Sequence, residues 1–293
     1  MKSACQLTGI SADTMRAWER RYGAVLPKRD ENGRRIYDAD DIARLRLLRD
    51  AVDLGHAIRH MAPLKNAEIE ALLRESQDAE PERIASGLVA RLIDGAANYR
   101  PDLCDEILGL TMTGFSPRDA VHQVIAPALV EAGTRWHANQ LSVAQEHLLT
   151  ASVERLVMST MHTFQKAARG PGVVFATLAG ERHAIGSLLA AFLAASQGIR
   201  CIYLGADLPV HELTEAVVRS KASAVALSLV TDIPLLDVQL EQLCHDLPSG
   251  IEVWVGGVVA QNLPESTTPE KCIRFRDFDE FLDRIEILRT SNS

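Results

Sequence analysis

Hydrophobic and polar positions along the 293-residue chain follow three different rhythms. In residues 1–63 short apolar stretches are cut by polar turns. ACQLTGISADTMRAWERRYG reads as a helix, a tight turn at Gly9 and a second helix with Ser11 as its N-cap and Asp13 and Thr14 in its first turn. PKRDENGRRIYDADDIARL then places a hairpin turn at Asn32-Gly33 ahead of a helix capped within residues 38–41. From residue 66 to 170 apolar residues recur at intervals of three and four, as in Ile84, Leu88, Leu92, Ile93, then Leu103, Ile107, Leu108, Leu110, then Val121, Val124, Ile125, Leu129, Val130. That stripe belongs to packed helices, and the short breaks near Arg100 and Ser116 suit antiparallel neighbours, so a four-helix bundle is expected. Over residues 172–293 five β-rich runs, 173–178, 200–205, 224–230, 252–257 and 272–276, alternate with helical stretches at 183–197, 211–220, 233–247 and from about 278. Near-continuous apolarity in such strands predicts a parallel, doubly wound sheet covered on both faces. Pro63 and the run Arg169 to Gly172 mark the two joints, and the fold class is multidomain, α and α/β.

Charge sharpens the first segment. The chain carries 31 Lys and Arg against 39 Asp and Glu, net −8, yet its first 60 residues hold 12 basic and 9 acidic side chains. A locally basic start on an acidic protein points to a nucleic-acid module joined to something else. Two short helices about a glycine turn form a helix-turn-helix, whose second helix lies in the major groove. That helix carries Arg16, Arg20 and Arg21 to clamp phosphates or reach guanine edges, with Trp18 and Tyr22 to pack or cover the sugar-phosphate wall. Arg34, Arg35 and Tyr37 after the hairpin make a wing that sets two arginines on the DNA backbone. No apolar run approaches the roughly 20 residues of a membrane helix, so a cytoplasmic protein with no membrane partner is expected. The five cysteines show neither C-x-x-C nor zinc spacing and read as reduced thiols.

The last segment offers chemistry at one rim. Ligands of doubly wound sheets sit beyond the carboxyl ends of the strands, where Glu181, His183 and Gly186 follow the first strand, Ser228 ends the third and Gly256 and Gly257 end the fourth. No dinucleotide glycine fingerprint follows the first strand, which argues against a dinucleotide, and no nucleophile elbow, catalytic carboxylate pair or kinase lysine set is present either; no enzyme is expected. What remains is an imidazole with a carboxylate two residues before it, able to fix its tautomer as the outer partner of a metal ligand does. In the helical segment, TRWHANQLSVAQEHLLTASVERL sets Trp136 and His137 at a helix end and Glu146 and His147 on the next helix, among Val143, Leu148 and Leu149. On the residues alone this is a buried core aromatic beside a satisfied polar pair.

TGISADTMRAWERRYG, followed by PKR and GRRIYDADDIARL, resembles the winged-helix DNA-binding domain of the MerR family over nearly all of residues 1–60. It departs from the pattern in its short first helix. E-x-H-x-x-G with a later SLV strand end and GG resembles the base-off/His-on cobalamin-binding domain shared by methionine synthase, corrinoid proteins and B12 mutases. Aspartate is commoner than glutamate before the histidine there, so the longer Glu181 is expected to reach the ring by a different path or through water. Trp136, Glu146 and His147 match W-x9-EH, the cap signature of CarH-type B12 photoreceptors, and this resemblance spans the chain in order: DNA head, helical cap, cobalamin domain. It implies a winged helix-turn-helix at 1–63, a bundle cap at 66–170 and a Rossmann-like (flavodoxin-like) domain at 172–293. It implies His183 as lower axial ligand of cobalt, Glu181 as its outer partner, and Gly186, Ser228, Gly256 and Gly257 around the displaced nucleotide tail. Trp136, Val143, Glu146 and His147 would cover the upper face, and His137 would ligate cobalt after photolysis. The function implied is a light-responsive repressor with adenosylcobalamin as cofactor, a dark tetramer on operator double-stranded DNA that becomes smaller in light. The rival readings are a light-indifferent B12 sensor, a corrinoid methyl carrier and a dual cobalamin/bilin photoreceptor.

Overall fold

The computed structural model describes residues 2–31, 33–53, 56–168, 170–263, 269 and 271–291; Asn32 and Arg169, singled out above, lie outside these. Two compact units divide the chain, Met1–Ala85 and Ser86–Ser293.

In the first unit α1 (Lys2–Thr8) is short, and Gly9 reverses the chain at φ 72°, in the left-handed region that glycine enters without strain. Ser11 caps α2 (Ala12–Tyr22), its hydroxyl accepting from the Thr14 N–H at 3.1 Å. The two-residue strands β1 (Lys28–Arg29) and β2 (Arg35–Ile36) pair antiparallel as the wing. Helices α3 (Ala39–Asp53) and α4 (Ile58–Met61) follow. Met15, Leu45, Leu48 and Ile69 form a fully buried core. Arg44 braces it, donating to the carbonyls of Ala24, Ala62 and Leu64 and to Asn66 Oδ1 at 2.6–3.0 Å. Arg46 and Arg49 donate to the Leu7 and Thr8 carbonyls, so part of the basic character read from the sequence is internal bracing. The division between units falls within α5 (Asn66–Ala97).

The second unit begins with helices. The end of α5, α6 (Pro101–Gly114), α7 (Pro117–Asp119) continuing through a π-helical turn (Ala120–Ile125) into α8 (Ala126–His137), and α9 (Val143–Ala167) bury Leu92, Ile107, Leu108, Val124, Leu149 and Val153. Ile84, Leu110 and Val130, counted in the apolar stripe above, are instead about half exposed or more. They sit on the outer face of their helices. Gly95 lets α6 approach α5, since a Cβ there would lie 2.9 Å from Cys104 Sγ. A capping box between Ser142 and Gln145 starts α9.

Five parallel strands follow: β3 (Gly172–Leu178), β4 (Arg200–Leu208), β5 (Ala224–Ser228), β6 (Glu252–Gly256) and β7 (Cys272–Arg274), in the order β4-β3-β5-β6-β7. The intervening helices are α10 (Ile185–Ser196), α11 (Val210–Ser220), α12 (Leu236–Asp246), the short α13 (Val258–Gln261) and the terminal α14 (Phe278–Ser291). The expected doubly wound sheet is present, with β4 longer, and β5, β6 and β7 shorter, than the apolar runs suggested. Helices α11 and α12 cover one face through Leu213, Val217, Leu240 and Leu243. On the other, Phe175 and Trp254 meet Phe281 of α14 edge to face. Helix α9 packs on α10, with Phe164 and Phe192 ring centroids 5.8 Å apart, and Gln165 near its end bonds both Ile199 O and Cys201 N at 3.0 Å. That pins the end of α9 to the edge where the strands start. Helix α9 is about 37 Å long against about 18 Å for α10. Among the described residues no helix is long and apolar enough to cross a membrane.

Candidate functional site

The turn between β3 and α10 carries the central pair. Glu181 is completely buried. Its Oε1 accepts from the backbone N–H of His183 at 2.8 Å and bonds His183 Nδ1 at 2.7 Å. Its Oε2 accepts from the N–H groups of Val230 and Thr231 at 2.8 and 2.6 Å and from the Thr231 hydroxyl at 2.9 Å. Burial alone would push this carboxyl up; the donors from His183, Thr231 and Val230 outweigh it and hold the pKa at about 2. An ionised carboxylate only accepts, so the proton of a neutral His183 ring sits on Nδ1 and the lone pair on Nε2. The His183 side chain is 58% exposed, and Nε2 has no hydrogen-bond partner among the described residues. A ring oriented through one nitrogen with the other left open is the arrangement of a metal ligand. The bond expected to take a different path or pass through water is direct, because Val230 and Thr231 fix the far oxygen of the longer side chain. Sequence reasoning missed these two residues, although Thr231 follows the SLV strand end.

A second tier holds the turn itself. Thr177 Oγ1 donates to Glu181 O at 2.5 Å and the Asp207 N–H donates to the same carbonyl at 3.1 Å. Asp207 Oδ1 accepts the Gly180 N–H at 2.7 Å. Asp207 adopts φ 61°, unusual for a side-chain-bearing residue and costing on the order of 1 kcal/mol.

A cavity of about 240 Å³ opens between α10, the ends of β5 and β6, and α14. All four small residues picked from the sequence, Gly186, Ser228, Gly256 and Gly257, line it. A Cβ on Gly186 would lie 2.8 Å from Ser228 Oγ, and one on Gly257, at φ 104°, would lie 2.4 Å from Leu229 O. Any larger residue therefore fills or strains the cradle. Ser187 Oγ is buried at this wall without a hydrogen-bond partner among the described residues. Five aromatics also line the cavity, Phe175, Trp254, Phe275, Phe278 and Phe281, which sequence reasoning did not assign to the site, with Gln261, Arg276 and Asp277 among the polar lining.

The helical segment differs from its default reading. Trp136, expected as a core aromatic, is 41% exposed and stacks at a tilt on His137, ring centroids 4.5 Å apart. His147 is largely exposed, its Nδ1 2.6 Å from Glu146 Oε2, while Glu146 Oε1 accepts from Thr150. Val143 is half exposed. The reason is position: Trp136 and His137 occupy the end of α8, and Val143, Glu146 and His147 the first turns of α9. Tyr99 and Gln145 fasten this corner, through Ser142 Oγ and the Ala97 carbonyl. No hydrogen bond links these residues to His183 among the described residues.

In the first unit Arg16, Arg20, Arg21, Tyr22 and Arg34 are exposed, Arg16 paired with Asp13. Trp18 is a core residue, 8% exposed, and packs inward with Met15 rather than on a sugar-phosphate wall. Arg35 bonds Glu19 Oε2 at 2.6 Å, joining wing to recognition helix, and Tyr37 packs on the core.

Residues 1–68 match the family model described as MerR HTH family regulatory protein, and residues 84–158 match the one described as B12 binding domain. Together with the parallel sheet they define a MerR-type transcriptional regulator that binds B12. The chain is 33% identical over 267 residues to the HTH-type transcriptional repressor CarH of Myxococcus xanthus, with 88% of each chain covered. It is 29% identical to the transcriptional repressor CarA of the same organism, over 78% of this chain and 76% of that one. The solved Methanosarcina barkeri monomethylamine corrinoid protein shares the fold, with TM-score 0.53 and 16% identity over 69% of this chain and 96% of that one. The chain belongs to the CarH family of B12-binding transcriptional regulators.

The residues present fit a cobalamin: an open imidazole nitrogen on an anchored ring, a cradle that a Cβ would fill, an unpartnered buried hydroxyl and an aromatic slot for a flat base.

Proposed function

We propose that the chain is an adenosylcobalamin-dependent, light-sensing transcriptional repressor. His183 Nε2 would hold the cobalt, with Glu181 keeping the ring in the required tautomer. Gly186, Ser228, Gly256 and Gly257 leave room for the nucleotide tail. Trp136, Val143, Glu146 and His147 would cover the cofactor, and His137 would be a second residue able to hold the metal after illumination. When bound, the cofactor supplies a cobalt–carbon bond that light cleaves. The chain's part is to exclude water above, hold the imidazole below, and give the helical segment two positions relative to the sheet. The dark form is a tetramer whose several heads, each presenting Arg16, Arg20, Arg21, Tyr22 and Arg34, grip operator DNA with avidity; the smaller illuminated form lets go.

The observation that carries this reading is the exposed Trp136, stacked on His137 at the end of α8, with Glu146 and His147 paired in the first turns of α9. Similarity to a transcriptional repressor over 88% of the chain supports the same reading. Size-exclusion chromatography of protein loaded with adenosylcobalamin in the dark tests it: green light should shift elution to a smaller species and abolish operator binding. Equal elution before and after light would favour a light-indifferent sensor.

A further inference from the structure

On the sheet face away from the cavity, two cysteines 28 positions apart in sequence meet. Cys244 Sγ of α12 lies 3.4 Å from Cys272 Sγ of β7, both partly buried in the cluster that α11 and α12 make with the sheet. Next to them Lys271 Nζ donates to the carbonyls of Cys244, Leu247 and Pro248 at 3.0–3.2 Å, which fixes an ammonium at the end of α12. The hydrogen bond with Cys272, against the effect of burial, and the nearby Lys271 favour the Cys244 thiolate, while Cys272 is pushed up and keeps its proton. A stabilised thiolate beside a protonated partner thiol is the layout of an attacking and a resolving cysteine. Cys104 and Cys201 lack it: burial raises the first and pushes the second up to about 12.

We propose that Cys244 and Cys272 are a peroxide-sensitive dithiol that closes to a disulfide between α12 and β7. The Cys244 thiolate attacks hydrogen peroxide, forming an S–O bond as the O–O bond breaks; the leaving hydroxide takes a proton and departs as water. Cys272 then attacks that sulfur, the S–O bond breaks, and the second oxygen leaves as water with the remaining proton. The thiols lose two electrons and the peroxide gains them. Closure draws the sulfurs from 3.4 Å to about 2.04 Å. The strand it fastens runs directly into Phe275 and Phe278 of the cavity wall.

The test uses the reduced full-length chain without cobalamin, so its outcome is independent of the cofactor reading. After a small excess of hydrogen peroxide, alkylation and peptide mass mapping should find Cys244 linked to Cys272 within one chain, reversibly by dithiothreitol, with the other three cysteines still alkylated. Cys272→Ser should strand Cys244 as a sulfenic acid trapped by dimedone, whereas Cys244→Ser should leave Cys272 largely unmodified. Alkylation of Cys244 and Cys272 to the same extent as Cys104 and Cys201 after peroxide, or links only between chains, would overturn the proposal; the mapping of the unsubstituted chain decides even where a variant does not fold.

Discussion

Glu181 and Trp136 belong to the two halves of one proposed site and are built in opposite ways. Glu181 is wholly buried and takes part in five hydrogen bonds with two segments of the chain, His183 on its own turn and Val230–Thr231 after β5, so the imidazole it holds has one orientation. Trp136 is 41% exposed, at the end of a helix, against a His137 that is also exposed. The half that must ligate is preorganised, and the half that must respond is left to be ordered by what it covers. A fixed support and a loosely held cover are what a ligand-driven two-state element needs.

Removing the ligand should produce the largest effect. His183→Ala is expected to weaken cobalamin binding by about 100-fold or more, since loss of an outer partner alone costs about 10–100-fold; titration followed by absorbance measures it. Glu181→Gln comes next, at about 10–100-fold, and has a second signature in stability. Its folded pKa of about 2 lies below the ordinary 4.5, so the carboxylate stabilises the fold above pH 4.5 and that contribution is lost as pH falls toward 2. On the order of 3 kcal/mol is at stake. Urea unfolding between pH 5 and 2 should steepen with acid in the wild type and flatten in the variant. If both variants bind cobalamin normally, the rim is only a braced turn.

Trp136→Ala sharpens the contrast from the other side. Exposed as it is, the residue should cost the fold no more than about 0.5 kcal/mol, yet the variant should lose affinity for adenosylcobalamin while keeping that for hydroxocobalamin. A large drop in thermal midpoint would instead make Trp136 structural. The smallest effects belong to the wing. Arg34→Ala should lower the salt slope of operator binding by about one phosphate contact without loss of stability. Arg35→Ala should lower stability as well, because it severs the bond to Glu19.

Much of this was legible in the chain because it is local. The two rhythms of apolar residues give bundle and sheet, and Glu181 and His183 lie two positions apart on one turn. Val230 and Thr231 were not legible as partners of Glu181, since they reach it from about fifty residues away and through backbone N–H groups that every sequence possesses. The burial of Trp18 and the exposure of Trp136 reversed their readings for one reason: an aromatic's periodicity tells which face of a helix it occupies, not whether another element covers that face. The pairing of Cys244 with Cys272 likewise depends on β7 lying at the sheet edge next to β6, an order fixed only by the folded topology.

The central claim is that His183 replaces the cofactor's own base beneath the cobalt. Electron paramagnetic resonance of cob(II)alamin bound to uniformly ¹⁵N-labelled protein tests it, since the unpaired electron couples to the axial nitrogen. Each cobalt line should split into the doublet of a protein-derived ¹⁵N; a triplet, from the ¹⁴N of the unlabelled cofactor's base, would contradict the account.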